Sequence, residues 1–257
     1  MALTRKWTVV TLILALLLAT GCTSKPKTSD QPAPQPSGTT SEPAKPQPQG
    51  PKPGGQLVLA RDDEAPGLDP HKMPASAAIR VFELLYEGLV RFDSEMKIQP
   101  ALAEKWTISD EGKTYTFQLR KGVKFHNGRE MTSADVKYSY DRMLDEKTAS
   151  LVRSFFAPVI DSIETPDAYT VVFKLKAPNA PFLNNVASFW AAIVPKEAVE
   201  ANNGDLSRVA VGTGPFTLGE WVQDNYIILK RNDNYWGEKP HIDSIKSVVL
   251  KDEVARL

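Results

Sequence analysis

The chain has 257 residues, 31 basic against 31 acidic, and 42% hydrophobic residues, which fits a globular protein with an apolar core. There is no basic excess, and this excludes a nucleic-acid binder. One cysteine, Cys22, excludes a disulfide-built scaffold and any cysteine-rich metal site.

The first element is a leader. Arg5 and Lys6 precede an apolar run from Trp7 to Ala19, followed by Ala19-Thr20-Gly21-Cys22. A positive start, a short apolar stretch and small residues before a cut site form a secretory signal. The run is shorter than the roughly 20 residues of a spanning helix. Residues 1–21 therefore read as a signal peptide. Ala-Thr-Gly-Cys resembles the lipobox of bacterial lipoproteins, which implies lipidation of Cys22 and a membrane attachment through the lipid anchor. Two or more acyl chains hold a protein stably where one does not.

Residues 22–55 form the next segment. Nine of the 20 prolines lie between Thr23 and Gly55, among Ser, Thr, Gln, Lys and Gly. Such a stretch has too little to bury to offset its ordering entropy, so a disordered linker is expected. Fully extended at about 3.1 Å per residue, it could hold a domain up to ~100 Å from the lipid.

The globular part starts at Gln56. Leu57 to Leu59 predict a strand, and Asp69-Pro70-His71 a turn. Ser76 predicts the cap of a helix with Ile79, Phe82, Leu85 and Leu89 on one face. Trp106 to Ser109 and the alternating Tyr115, Phe117 and Leu119 predict a hairpin turning at Asp110-Glu111-Gly112. His126-Asn127-Gly128 predicts a tight turn. Thr132 and Asp135 predict a capping box, opening a helix that buries Val136, Tyr140 and Met143 or Leu144. A second hairpin is expected to turn at Pro166-Asp167-Ala168, with Val171, Phe173 and Leu175 inward. Further strands are expected at Phe216 to Val222, Tyr226 to Lys230 and Ile245 to Leu250. Interspersed strands and helices without a regular βαβ repeat predict a mixed α/β (α+β) fold with mixed sheets.

Several blocks follow one another in a set order: Leu68-Asp69-Pro70-His71, Tyr86-Glu87-Gly88-Leu89, Ala101-Leu102-Ala103-Glu104-Lys105-Trp106, Gly112 to Arg120, Val123 to Gly128 and Thr132 to Ser139. Gly212-Thr213-Gly214-Pro215-Phe216 and Arg231-Asn232-Asp233-Asn234-Tyr235-Trp236 follow. This ordered set resembles the family 5 extracellular solute-binding proteins, the peptide- and nickel-binding components of ABC transporters. The resemblance implies a periplasmic-binding-protein-like class II lobe with an inserted subdomain. It places the first part of lobe I at residues 56–89, the inserted subdomain at 90–197 and the second part of lobe I at 198–257. Full family members are roughly twice as long, so an incomplete fold lacking the second lobe is expected.

The resemblance further implies a peptide ligand, ABC permease subunits as partners, no cofactor, no catalysis, a monomer, and a location outside the cytoplasmic membrane. Ligand contacts would fall on Pro74, Ala75 and Ser76, with Pro74 standing where some oligopeptide binders carry an acid. On the inserted subdomain they would fall on Ser150 and Val152. Gly212 and Gly214 would form a hinge or lobe junction. Two alternatives stay open. His71, His126 and His241 lack ligand spacing for a metal, but the family's nickel branch keeps a metal or other non-peptide solute in view. Asp62-Asp63-Glu64 and Asp110-Glu111 would serve a surface hydrolase, although a solvated strand-end loop and a hairpin turn explain them better.

Overall fold

The protein is described by a computed structural model covering residue 50, residues 52–72 and residues 75–254. The leader, Cys22, most of the linker and Pro74 lie outside the described residues. In chain order the elements are β1 (Gln56–Arg61), α1 (Ser76–Leu85), β2 (Val90–Phe92), β3 (Ile98–Pro100), β4 (Ala103–Ser109), β5 (Thr114–Leu119) and α2 (Ser133–Leu144). There follow α3 (Arg153–Phe156), β6 (Ile160–Asp167), β7 (Thr170–Leu175), α4 (Phe182–Val186), α5 (Lys196–Ala201), β8 (Phe216–Val222), β9 (Tyr226–Arg231) and β10 (Ser244–Val249).

One sheet has the order β4-β5-β7-β6 and is antiparallel throughout. Its alternating residues Tyr115, Phe117, Leu119, Val171, Phe173 and Leu175 are buried, as period-two side-chain placement requires. Tyr115 pairs with Phe173 and Phe117 with Val171, so the apolar sets of the two central strands share one face. On that face sits α2, burying Val136, Tyr140 and Met143. Its start is a capping box, with Thr132 N donating to Asp135 Oδ2 at 2.9 Å. The hairpin after β6 turns at Ala168-Tyr169, and Pro166 sits inside β6 at an irregularity in the ladder, where a residue without an N–H is tolerated.

The other large sheet has the order β1-β10-β9-β8. β1 runs parallel to β10, while β10-β9 and β9-β8 are antiparallel, so this sheet is mixed. α1 covers it through Ala78, Val81, Phe82 and Leu85, against Phe216, Ile227, Leu229 and Ile245. β1 lies at the edge. Its Leu57, Val58 and Leu59 stay 44%, 59% and 43% exposed.

Three expectations need correction. α1 ends at Leu85, because Tyr86 is already extended, so Leu89 packs from beyond the helix. Ala75, not Ser76, is the cap position, and no side chain caps that end. A short hairpin, β2–β3, joins the two halves and was not expected from the sequence. Asp93 builds its turn by accepting from Glu95 N, Lys97 N and Gln99 Nε2. The apolar core forms two clusters: one drawn from residues 89–193, the other from 65–86 and 192–245.

Candidate functional site

The segment leading into α1 is held by a buried charge. Asp69 is fully buried, and a buried carboxylate must be paired and hydrogen-bonded. Arg142, in the last turn of α2, donates from Nη1 to Asp69 Oδ1 at 2.9 Å and from Nη2 to Oδ2 at 2.5 Å. His71 N and Leu206 N also donate to the same carboxylate, each at 3.1 Å. Burial pushes the Asp69 carboxyl up, but the hydrogen bond and charge of Arg142 outweigh it and hold it below its ordinary range.

The same guanidinium sets the state of His71. Arg142 Nη1 donates to His71 Nδ1 at 2.8 Å, so Nδ1 is an acceptor. The proton sits on Nε2, which donates to Ala192 O at 2.9 Å. Burial first, then the Arg142 charge, push this imidazole down to about 4, with Asp69 acting the other way. Ser150 Oγ donates to His71 O at 2.8 Å, and Lys72 Nζ to Gly204 O at 3.1 Å. Thus the backbone just before Met73 is gripped by side chains and carbonyls from α2, from residue 150 and from residues 192–206.

Beyond the grip, Ala75 is half-buried and Ser76 is exposed at the first turn of α1. The other two expected contacts, Ser150 and Val152, are both buried. Val152 is 1% exposed and packs in the core, and Ser150 is 8% exposed with its hydroxyl engaged on His71 O. Neither offers a free group to a ligand. Ala149 takes a left-handed φ of 52°, and Leu151 is the residue of this turn that faces out, at 65% exposure.

Gly212 and Gly214 sit where the two core clusters meet, and their role is close approach. A Cβ at Gly212 would lie 2.1 Å from Leu85 O, and one at Gly214 2.5 Å from Leu84 O. His126 clamps the segment from the other side. Its backbone N donates to Gly212 O, its Nδ1 accepts from Gly212 N at 3.2 Å, and its Nε2 donates to Gly214 O at 3.1 Å.

Between these glycines, Thr213 Oγ1 donates to Glu87 Oε2 at 2.8 Å. Trp236 Nε1 donates to the same oxygen at 2.7 Å, and Tyr235 Oη donates to Oε1 at 2.8 Å. Burial pushes the Glu87 carboxyl up, and these three donors only partly offset it. Two of the quoted blocks therefore converge on one side chain of a third. Arg120 lies over the Trp236 ring at 4.8 Å. Glu87 and Arg142 have no local partner to betray them. Glu87 falls in one of the quoted blocks and Arg142 follows Asp141 on α2, but neither spacing reveals the remote partner.

The remaining candidates have structural work. Glu64 accepts from Trp221 Nε1 at 2.5 Å and Asp224 N at 2.7 Å, bracing the β8–β9 hairpin. Asp110 accepts from Thr114 Oγ1 at 2.5 Å within its hairpin turn. His71 and His126 are spent on backbone contacts, and His241 is exposed. Among the described residues no group of three or more His, Cys, Asp or Glu is placed to hold a metal ion.

The chain is similar in sequence and fold to known proteins. The dipeptide-binding protein of Escherichia coli (strain K12) is 34% identical over 223 residues, 78% of this chain and 42% of its own. The periplasmic binding protein DppA of Helicobacter pylori, solved with the peptide STSA, superposes with a TM-score of 0.74 at 34% identity, covering 80% of this chain and 44% of that one. NikZ of Campylobacter jejuni, solved with Ni(L-His), superposes with a TM-score of 0.70 at 26% identity, covering 78% and 40%. The chain thus spans about two-fifths of the length of these relatives. Residues 97–257 match the family described as bacterial extracellular solute-binding proteins, family 5 Middle, and this chain belongs to that family.

Proposed function

We propose that this chain is a lipid-anchored solute-binding component of an ABC importer that takes up peptides, and that residues 56–257 supply one side of the ligand cleft. The family consists of extracytoplasmic, non-catalytic solute-binding proteins, which sets the hydrolase alternative aside. The observation that carries the peptide reading is the likeness, at 34% identity in each case, to a dipeptide-binding protein and to a DppA solved around a peptide. The grip on His71 supports it, since it presents Ala75 and Ser76 at a fixed edge. An extended peptide could lie there by main-chain hydrogen bonds. Ligand would favour a closed state that docks on permease subunits, and would shift that equilibrium only by its differential affinity.

Peptide binding by residues 56–257 alone is expected to be weak. Calorimetry with di- and oligopeptides tests this, and micromolar affinity would refute the half-cleft reading. Backbone NMR at millimolar dipeptide tests the ligand class. Shifts gathered around residues 71–76 are expected, and no shift with any peptide would sink the peptide reading. For the anchor, Cys22→Ser should release the protein from membranes, and persistence in the membrane fraction would refute it.

A second reading is favoured by the likeness to NikZ, solved with Ni(L-His): a nickel complex or other non-peptide solute. Equilibrium dialysis against nickel with and without histidine separates the two.

A further inference from the structure

The single turn of α3 carries two aromatic residues with different surroundings. Phe156 is fully buried and meets Tyr140 edge-on, with centroids 5.3 Å apart at 77°. Phe155 is 44% exposed and lies flat on Trp190, with centroids 5.4 Å apart and planes 8° from parallel. Leu151, four residues earlier, is 65% exposed. Together they make an apolar shelf on the surface.

One end of the shelf reaches α1 itself, and the other is tied to the segment that leads into it. Trp190 meets Phe189 at 4.8 Å, and Phe189 meets Phe82 of α1 at 6.5 Å. At the other end Ser150, next to Leu151, bonds the carbonyl of His71. The shelf is also uncharged. Arg153, the cation between Leu151 and Phe155, donates to Leu144 O at 2.8 Å and Glu146 Oε1 at 3.0 Å. One face of Phe155 is occupied by Trp190, so its exposure belongs to the opposite face and the edge. The Trp190 ring N–H is buried with no acceptor, so the indole is placed by its stacking contacts rather than by a hydrogen bond.

We propose that Leu151, Phe155 and Trp190 read a side chain of the bound peptide, and that they select neutral apolar side chains, aromatic ones above all. This rests on the peptide reading and goes beyond it by naming the class of side chain. A rigid aromatic face fixed by a second ring offers stacking at low ordering cost, and it offers no group to compensate a buried charge.

The test uses the full chain labelled with nitrogen-15, the Trp190 indole signal being assigned by its loss in Trp190→Phe. Ala-Phe, Ala-Ala and Ala-Glu are titrated to millimolar concentration. Ala-Phe should move the Trp190 signal and bind about three- to tenfold more tightly than Ala-Ala, with Ala-Glu weakest. Phe155→Ala should bring the Ala-Phe affinity down to that of Ala-Ala in the same variant. Phe155→Leu, which keeps apolar area but loses the ring, should fall between. Equal affinities in the unmodified chain would overturn the proposal. So would discrimination that survives Phe155→Ala. Shifts around residues 71–76 without selectivity would defeat the shelf and leave the peptide reading standing. No shift anywhere would remove both.

Discussion

Arg142 meets Asp69 across 73 positions of sequence with both terminal nitrogens, and both side chains are shut away from solvent. Helix α2 and the segment that follows β1 are thereby joined by one charged contact. Removing one member of such a pair strands the other, at a cost of about 3–5 kcal/mol. Arg142→Leu and Asp69→Ala should each lower the urea midpoint strongly. The double variant should lose less than the sum of the two, because neither charge is then left alone. Additive losses would mean the two side chains act separately.

His71 makes stability depend on pH. Its unfolded value is 6.5 and its folded value about 4, so between these the unfolded chain binds the extra proton. Stability from this group is complete above 6.5 and is lost as pH falls toward about 4, by about 1.4 kcal/mol per pH unit. Glu87 works in the opposite sense. Its folded carboxyl holds a proton above its ordinary value of 4.5, so its contribution falls as pH rises through that value. The comparison is therefore between variants. Urea unfolding from about pH 7 to about pH 4 should show a shallower loss in His71→Gln than in the unmodified chain. Parallel profiles would rule out His71 as the titrating group.

Glu87→Ala should disturb three blocks at once. Trp236 Nε1, Tyr235 Oη and Thr213 Oγ1 would each lose their acceptor, and an orphaned buried donor costs about 1–3 kcal/mol. Near-ultraviolet circular dichroism should change with the Trp236 environment, alongside a fall in thermal midpoint. Glu87→Gln keeps one acceptor oxygen and should be milder. An unchanged aromatic spectrum in Glu87→Ala would mean that the convergence does not hold Trp236 in place.

The glycines differ in what they need. Gly212→Ala and Gly214→Ala place a methyl group against the carbonyls of Leu85 and Leu84, so soluble folded protein should be scarce. Gly128 has a φ of +89° but open space around its missing side chain. Gly128→Ala should therefore only strain the turn, at roughly 1 kcal/mol. Soluble yield and thermal midpoint distinguish the outcomes. A well-folded Gly214→Ala protein would show that the junction yields.

The local elements were legible because their signals are local. Tyr115, Phe117 and Leu119 alternate on the strand that bears them, and Thr132 and Asp135 sit three residues apart on one helix start. The long-range polar contacts were not, because their partners are remote. Glu87 finds Thr213, Tyr235 and Trp236 at separations of 126, 148 and 149 residues, which no spacing rule can register. Side-chain direction was hidden too. A resemblance can locate residues 149–152, but the left-handed turn at Ala149 decides that Leu151 looks outward while Ser150 and Val152 look in. At Gly212 and Gly214 the resemblance implied a hinge or lobe junction, and the requirement for glycine there comes from the backbone of α1, which excludes a side chain.

The parallel pairing of β1 with β10 also sets an order of events. Gln56 lies opposite Ser244, so the edge strand finds its partner only after 188 further residues have been made. The sheet of β4 to β7 needs nothing outside residues 103–175 and can close from its own hairpins. Contacts between distant positions form late, since the intervening chain must first surrender its freedom. During folding β1 is thus the strand that waits longest. With Leu57, Val58 and Leu59 uncovered, it is where an unfinished molecule is most open to pairing with another.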